Sequence, residues 1–127
     1  MKTKILTVDD SRIVRIMVTR ALAKYDCQIA EASNGEEGLK VAAQERPDLI
    51  LLDVTMPVMD GMTMLDRLRS DAALRSTPVV MLTAESAQEN IARADKLGIS
   101  GYIAKPFKED GLVAKLLPLV ALKPKTT

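Results

Sequence analysis

Five short apolar runs alternate along the chain with longer segments in which apolar residues recur at helical spacing. The runs have the length and flanking residues of strands, and they cover residues 4–8, 28–30, 49–52, 79–82 and 101–104. In the first intervening segment Val14, Met17, Val18 and Ala21 fall on one helical face. Helix follows strand five times, which predicts parallel strands because each crossover returns the chain to the same edge. We therefore expect an α/β fold with helices on both faces of a five-stranded sheet.

Local signals predict where several elements begin and end. Capping boxes at 33–36 and 86–89 predict the starts of two helices. Met56-Pro57 and Asp60-Gly61 predict a turn into the third helix. Pro118 cannot continue the last helix without losing a backbone hydrogen bond, so that helix should kink or end just before it.

The length and the amino-acid composition are those of one globular domain. Residues 1–122 are expected to form it, and 123–127, with Pro124 and no apolar anchor, a short flexible tail. A net charge of +1 argues against direct nucleic-acid binding, and no apolar stretch is long enough for membrane insertion. The lone Cys27 cannot form an internal disulfide and suits a reducing compartment, so the expected location is cytoplasmic.

Histidine is absent from the 127 residues. Its absence excludes a Ser-His-Asp triad, the commonest zinc sites and a phosphohistidine on this chain. Any reaction chemistry must therefore come from other side chains.

Chemically useful side chains follow four of the five predicted strands. They are Asp9 and Asp10 after the first, Asp53 after the third, Thr83 after the fourth and Lys105 after the fifth. Ligands of an open parallel sheet bind beyond the carboxyl ends of its strands, so these residues should share one edge. Close carboxylates repel unless a cation lies among them, and their oxygens suit Mg²⁺. A carboxylate beside a metal can attack phosphorus, while Lys105 offsets the charge of the transferred oxygens and Thr83 hydrogen-bonds one of them.

Each of these residues also has a purely structural explanation when taken alone. Asp9 and Asp10 could cap the first helix, and Asp53 could begin a turn. Thr83 fits an ordinary β-branched strand position, and Lys105 fits a solvated surface charge. The functional interpretation rests on the fact that four of the five strand ends carry the side chains that this chemistry requires.

Four segments, ILTVDDSR, LILLDVTMPVMDG, VVMLTAES and GYIAKPF, together resemble the receiver domain of bacterial two-component response regulators. The resemblance covers essentially the whole chain, and it extends to single-domain chemotaxis regulators and to single-domain relay proteins, with the segments TAES and GYIAKPF favouring the former. It implies a flavodoxin-like (βα)5 doubly wound sheet of order 2-1-3-4-5. It also implies that Asp53 is the phospho-acceptor and that Asp9, Asp10, Asp53 and the backbone carbonyl of Thr55 hold Mg²⁺, for which Mn²⁺ can substitute. In this family the Lys105-Pro106 bond is usually cis.

The same resemblance assigns roles to residues around the acceptor. Thr83 is the switch hydroxyl, Lys105 the lysine that contacts the phosphoryl group, and Tyr102 the switch aromatic. Taken alone, Tyr102 fits a core position with its hydroxyl at the rim. Thr55 and Glu85 occupy positions that tune the rate of dephosphorylation in the family.

The implied function is that of a stand-alone signalling protein, with at most slow self-catalysed phosphorylation and dephosphorylation. A sensor histidine kinase or phosphotransferase would donate the phosphoryl group. A face built from helix 4, strand 5 and helix 5 would then change its affinity for an output protein, either the flagellar motor switch or a relay partner. Ala87 and Gln88 replace lysines of the motor-binding relative, and Thr55 replaces its asparagine, so the motor contacts are not carried over.

Three other functions fit parts of the pattern. A metal-dependent phosphohydrolase usually has an acidic residue two positions past its nucleophile, where this chain has Thr55. A nucleotide or flavin binder would need a glycine-rich phosphate loop, which the strand ends lack. A receiver fold that binds proteins without being phosphorylated would not need Asp53, Thr83 and Lys105 together.

Overall fold

A computed structural model of the chain describes residues 2–84 and 88–125. Five strands and five helices alternate in these residues. The strands are β1 (Thr3–Val8), β2 (Cys27–Ala32), β3 (Leu49–Asp53), β4 (Val79–Ala84) and β5 (Gly101–Lys105). The helices are α1 (Arg12–Leu22), α2 (Gly35–Glu45), α3 (Gly61–Ser70), α4 (Gln88–Leu97) and α5 (Glu109–Leu116). All paired strands are parallel and the sheet order is β2-β1-β3-β4-β5, which confirms the flavodoxin-like fold expected from the sequence.

The central strand β3 shows why the sheet needs continuous apolar runs. All five of its residues are buried. Leu49 and Leu51 pack into the layer of α1 and α5, whereas Ile50 and Leu52 pack into the layer of α2, α3 and α4. Because alternate side chains of a strand point to opposite faces, a strand covered on both sides must be apolar at successive positions. Each such side chain contributes about 1.5–3 kcal/mol of burial free energy, which makes this strand the centre of both cores.

The helix α2 begins one residue later than the capping box at 33–36 predicts. Its N-cap is Asn34, whose side chain accepts a hydrogen bond from the Glu37 backbone N–H at 2.9 Å. Ser33 lies outside the helix, and its hydroxyl donates to the Glu37 carboxylate at 3.0 Å. Asn and Ser are about equally good N-caps, so local preference could not choose between adjacent positions. The second predicted capping box, at 86–89, lies outside the residues whose side chains the structure describes.

The last helix ends where its proline requires. Helix α5 stops at Leu116, and Leu117 caps it by donating its N–H to the Val113 carbonyl. Pro118 follows directly, so the helix ends instead of kinking.

The described residues after Leu122 pair with the backbone just before β2. The Asp26 N–H donates to the Lys123 carbonyl at 2.7 Å, and the Lys125 N–H donates to the Lys24 carbonyl at 2.9 Å. These two bonds form an antiparallel bridge beside the start of β2. Backbone pairing, which needs no apolar anchor, therefore holds residues 123–125.

None of the helices within residues 2–84 and 88–125 is long and apolar enough to cross a membrane. The longest, α1 and α2, have 11 residues each, whereas a bilayer core requires about 20.

Candidate functional site

The carboxyl ends of β1, β3 and β5 bring one positively charged side chain into contact with two negatively charged ones. The Lys105 ammonium lies 2.9 Å from Asp9 Oδ2 and 3.0 Å from Asp53 Oδ1. Asp53 and Lys105 are the last residues of their strands, and Asp9 directly follows β1. The two contacts join residues 96 and 52 positions apart in the chain, so the parallel sheet creates this cluster.

Asp10 adds a third carboxylate to the cluster. Carboxylate oxygens of Asp9, Asp10 and Asp53 all lie within 4.8 Å of one another. Asp9 and Asp53 are buried, while Asp10 is exposed, so the group is open to solvent on one side. A few hard oxygen ligands with room for water suit Mg²⁺, and the donor set fits the expected metal. The role of the Thr55 carbonyl as a further ligand stays a prediction.

The surroundings of Asp53 oppose its negative charge. Burial is the largest effect and raises the pKa of Asp53, and the neighbouring Asp9 carboxylate raises it further. The hydrogen bond from Lys105 and one from the Thr55 backbone act in the opposite direction without cancelling the increase. The ionised form of Asp53 is thus costly in these surroundings.

Lys105 remains an ammonium despite its partial burial. Burial alone would lower its pKa, but the hydrogen bonds to Asp9 and Asp53 outweigh that effect, and the pKa is raised. The Lys105-Pro106 peptide bond is cis, as the family resemblance implies. The site therefore contains one fixed positive charge beside two buried carboxylates.

Replacing Asp53 by asparagine is expected to stabilise the metal-free protein at pH 7, because the amide removes a negative charge that burial disfavours. The raised pKa of Asp53 means that its contribution to the free energy of unfolding is full below the unfolded-state pKa and is lost as pH rises through the folded-state pKa. The advantage of Asp53→Asn should therefore appear at pH 7 and shrink toward pH 4. Urea denaturation in EDTA at both pH values measures it, with the exposed Asp66→Asn as control. A less stable Asp53→Asn protein at pH 7 would contradict the expected cost of the buried charge.

Asp9 also contributes to the backbone turn that leads into α1. Its Oδ1 atom accepts a hydrogen bond from the Ser11 N–H at 2.9 Å, which supports the turn into α1. The N-cap itself is Ser11, whose hydroxyl accepts from the Val14 N–H at 3.3 Å. Neither Asp9 nor Asp10 is the helix cap, so both remain available to the charged cluster.

Among the described residues, no hydrogen bond joins Thr83 or Tyr102, the two predicted switch residues, to this cluster. Thr83 is buried near the end of β4, and its hydroxyl donates to the Ala84 carbonyl at 3.2 Å. Tyr102 is 45% exposed on β5, with the Lys115 ammonium 5.8 Å from its ring centre. The exposure of Tyr102 contradicts the core position that fits this residue taken alone, and its role as the switch aromatic stays a prediction. Glu85 lies outside the described residues.

Gly61 is a structural requirement of the site that the sequence indicates only as part of a turn. Its N–H donates to the Val54 carbonyl at 2.9 Å, where α3 begins against the end of β3. A Cβ atom at Gly61 would lie 2.0 Å from the Asp53 carbonyl oxygen. The loop reaches this point through Val58, whose φ of 65° is rare for a β-branched residue. Close backbone approach, which only glycine permits, thus fixes the chain beside Asp53.

The chain is similar in sequence and in structure to known signalling proteins. The response regulator receiver domain family matches residues 5–117. Sporulation initiation phosphotransferase F of Bacillus subtilis is 38% identical over 123 residues, which cover 94% of this chain and 97% of that protein. Protein PilH of Pseudomonas aeruginosa is 31% identical over 118 residues, 93% of this chain and 98% of that protein. Among solved structures, chemotaxis response regulator CheY4 of Vibrio cholerae has a TM-score of 0.87 at 33% identity, covering 94% of this chain and 100% of that chain.

Proposed function

This chain belongs to the response regulator receiver domain family of two-component signalling proteins, and on that premise we propose that Asp53 accepts a phosphoryl group in a Mg²⁺-dependent reaction. Receiver domains are signalling proteins and not classical enzymes. The observation that carries the proposal is the cluster of Asp9, Asp10 and Asp53 with the Lys105 ammonium between two of them. The proposed donor is a phosphohistidine on a sensor kinase or phosphotransferase.

In the proposed reaction an oxygen of Asp53 attacks phosphorus. The new P–O bond forms as the P–N bond to the donor histidine breaks, and the imidazole nitrogen keeps the electron pair. Asp9, Asp10 and Asp53, with the Thr55 carbonyl, would hold the Mg²⁺, and Mn²⁺ could replace it. When bound, the metal supplies positive charge that stabilises the transferred oxygens. Lys105, already 3.0 Å from Asp53, is near enough to contact those oxygens as well.

Phosphorylation would then act as a conformational switch. The new group carries about two negative charges, which favours donors directed at its oxygens. In the proposed switch the Thr83 hydroxyl leaves the Ala84 carbonyl for a phosphoryl oxygen, and Tyr102 follows it inward. The face formed by α4, β5 and α5 changes its affinity for a partner in consequence. A shift from 1:99 to 99:1 requires about 5.5 kcal/mol of differential stabilisation, which the metal, Lys105 and Thr83 would share. Thr55 and Glu85 would tune the lifetime of the phosphorylated form.

The proposed output partner is either the flagellar motor switch or a second relay protein. Similarity to a chemotaxis response regulator supports the first, and similarity to a protein named as a phosphotransferase supports the second. We place the reaction in the cytoplasm, the compartment expected for a chain with one unpaired cysteine.

Phosphorylation at Asp53 is tested with Mg²⁺ and acetyl phosphate as a small phosphodonor. Intact-mass spectrometry of the native sequence should show one added phosphoryl group, because a single carboxylate in the cluster acts as nucleophile. Hydroxylamine should remove the group, since it cleaves acyl phosphates but leaves phosphate esters intact. The adduct should be absent in Asp53→Asn and in the presence of EDTA.

The matched control is Asp66→Asn, which makes the same chemical change at an exposed position of α3. It should retain the adduct. An adduct of undiminished yield in Asp53→Asn, or no adduct in the native protein, would overturn the proposal. Steady turnover of many phosphate esters would favour a phosphohydrolase instead.

A further inference from the structure

We propose that Arg15, held by Glu31, is a positioning residue that fixes the orientation of the Asp9-Asp10 pair for the divalent cation. This inference rests on the proposed metal site. It adds two residues, on α1 and β2, that the strand-end pattern does not indicate. Neither is proposed to touch the metal or the phosphoryl group.

The Arg15 guanidinium joins three elements at the rim of the cluster. Its Nη1 atom donates to the Asp9 backbone carbonyl at 2.7 Å, and its Nε atom donates to the Glu31 carboxylate at 3.1 Å. Only 18% of the Arg15 side chain is exposed, compared with 51% for Glu31. The planar guanidinium can satisfy two partners in fixed directions at once, which a single ammonium nitrogen cannot do. Arg15 therefore acts as a brace between α1, the end of β1 and β2.

The contact with the Asp9 carbonyl bears directly on Asp10. That carbonyl belongs to the planar peptide group joining Asp9 to Asp10, so holding its oxygen sets the direction in which the Asp10 Cα leaves the strand. The opposite side of Asp9 is held as well, because its N–H donates to the Ala32 carbonyl at 3.0 Å. Among the side chains of residues 2–84 and 91–125, none forms a hydrogen bond with the Asp10 carboxylate. Its position therefore depends on the backbone that Arg15 fixes.

The charge of Arg15 and its positioning role predict opposite effects of a substitution on cation affinity. Removing its positive charge from the vicinity of three carboxylates would strengthen cation binding by electrostatics alone. Removing its hold on the Asp9 carbonyl would weaken binding, because Asp10 would sample orientations that do not serve the metal. Arg15→Lys preserves the charge and removes the two-partner geometry. Arg15→Gln removes both.

The test measures Mn²⁺ affinity from the electron paramagnetic resonance signal of free Mn²⁺. Both Arg15→Lys and Arg15→Gln should bind Mn²⁺ about tenfold more weakly than the native protein. Glu31→Gln should weaken binding in the same direction, since it releases the other end of the brace. The matched controls are Arg12→Lys and Arg12→Gln, which alter an exposed arginine on the same helix and should leave the affinity within about twofold.

Thermal unfolding without metal separates positioning from a merely structural role. A structural role would lower the melting temperature and leave the Mn²⁺ affinity of the folded protein unchanged at a temperature well below unfolding. Native affinity in Arg15→Lys, or tighter binding in Arg15→Gln, would overturn the positioning role while the metal site stands. Failure of the native protein to bind Mn²⁺, or full binding by Asp10→Asn, would overturn the metal site itself and this inference with it.

Discussion

Gly61→Ala is expected to lower the free energy of unfolding by about 3 kcal/mol, the largest effect we expect from adding a single methyl group. The added Cβ would lie 2.0 Å from the Asp53 carbonyl oxygen and 2.9 Å from the Val54 Cα. Both neighbours are backbone atoms, one in the last residue of β3 and one in the residue after it, so no flexible side chain can move aside. Relief requires α3 to shift away from the strand end that carries Asp53, the proposed acceptor.

Urea denaturation followed by circular dichroism measures this cost. The matched control is Gly111→Ala in α5, where an added Cβ meets nothing within 4 Å. That change should stabilise the protein by about 0.5–1 kcal/mol, because alanine is a better helix former than glycine. The two glycine-to-alanine substitutions should therefore have opposite signs. Equal stability of Gly61→Ala and the native protein would show that α3 does not pack against the Asp53 backbone as described.

Lys105→Met is expected to destabilise the metal-free protein by about 2 kcal/mol at pH 7 and to tighten Mg²⁺ binding about tenfold. The substitution leaves the Asp9 and Asp53 carboxylates facing each other without the ammonium that now lies about 3 Å from both. The cost should fall short of that for a fully buried pair, because a quarter of the Lys105 side chain is exposed. A divalent cation takes over the role of the ammonium, so saturating Mg²⁺ should recover much of the lost stability.

The pH dependence of Lys105→Met gives a second measurement of the same effect. The pKa of Asp53 is already raised by burial, and losing the Lys105 hydrogen bond removes an influence that lowers it. A higher folded-state pKa means that stability is lost as pH rises through it, so the deficit should be large at pH 7 and small at pH 4. Urea denaturation in EDTA and calorimetric Mg²⁺ titration measure the two effects. The exposed Lys108→Met serves as control, and an identical response of both variants would refute the role of Lys105 in the cluster.

The sequence predicted the fold because the fold depends on repeated local patterns. Five apolar runs separated by amphipathic segments leave few arrangements besides a parallel sheet covered on both faces, and β3 matches this expectation at each buried position. The same pattern predicted the shared strand-end edge, since carboxyl ends of parallel strands always lie on one side. The prediction was weaker where two local choices have similar energy, as between Ser33 and Asn34 at the start of α2. The core position that fits Tyr102 taken alone was wrong, because the sequence of the edge strand β5 does not reveal which of its faces the helices cover.

The sequence by itself thus determined the order of elements and the types of side chain at the ends of β1, β3, β4 and β5. Only the tertiary structure decided which of those side chains meet: Lys105 contacts Asp9 and Asp53, whereas the Thr83 hydroxyl contacts a backbone carbonyl. It also showed that Gly61 must lack a side chain. The physical reason is that these contacts join atoms distant in sequence, and many of them are backbone atoms. The distances between such atoms depend on how the helices pack against the sheet, which the spacing of hydrophobic residues does not reveal.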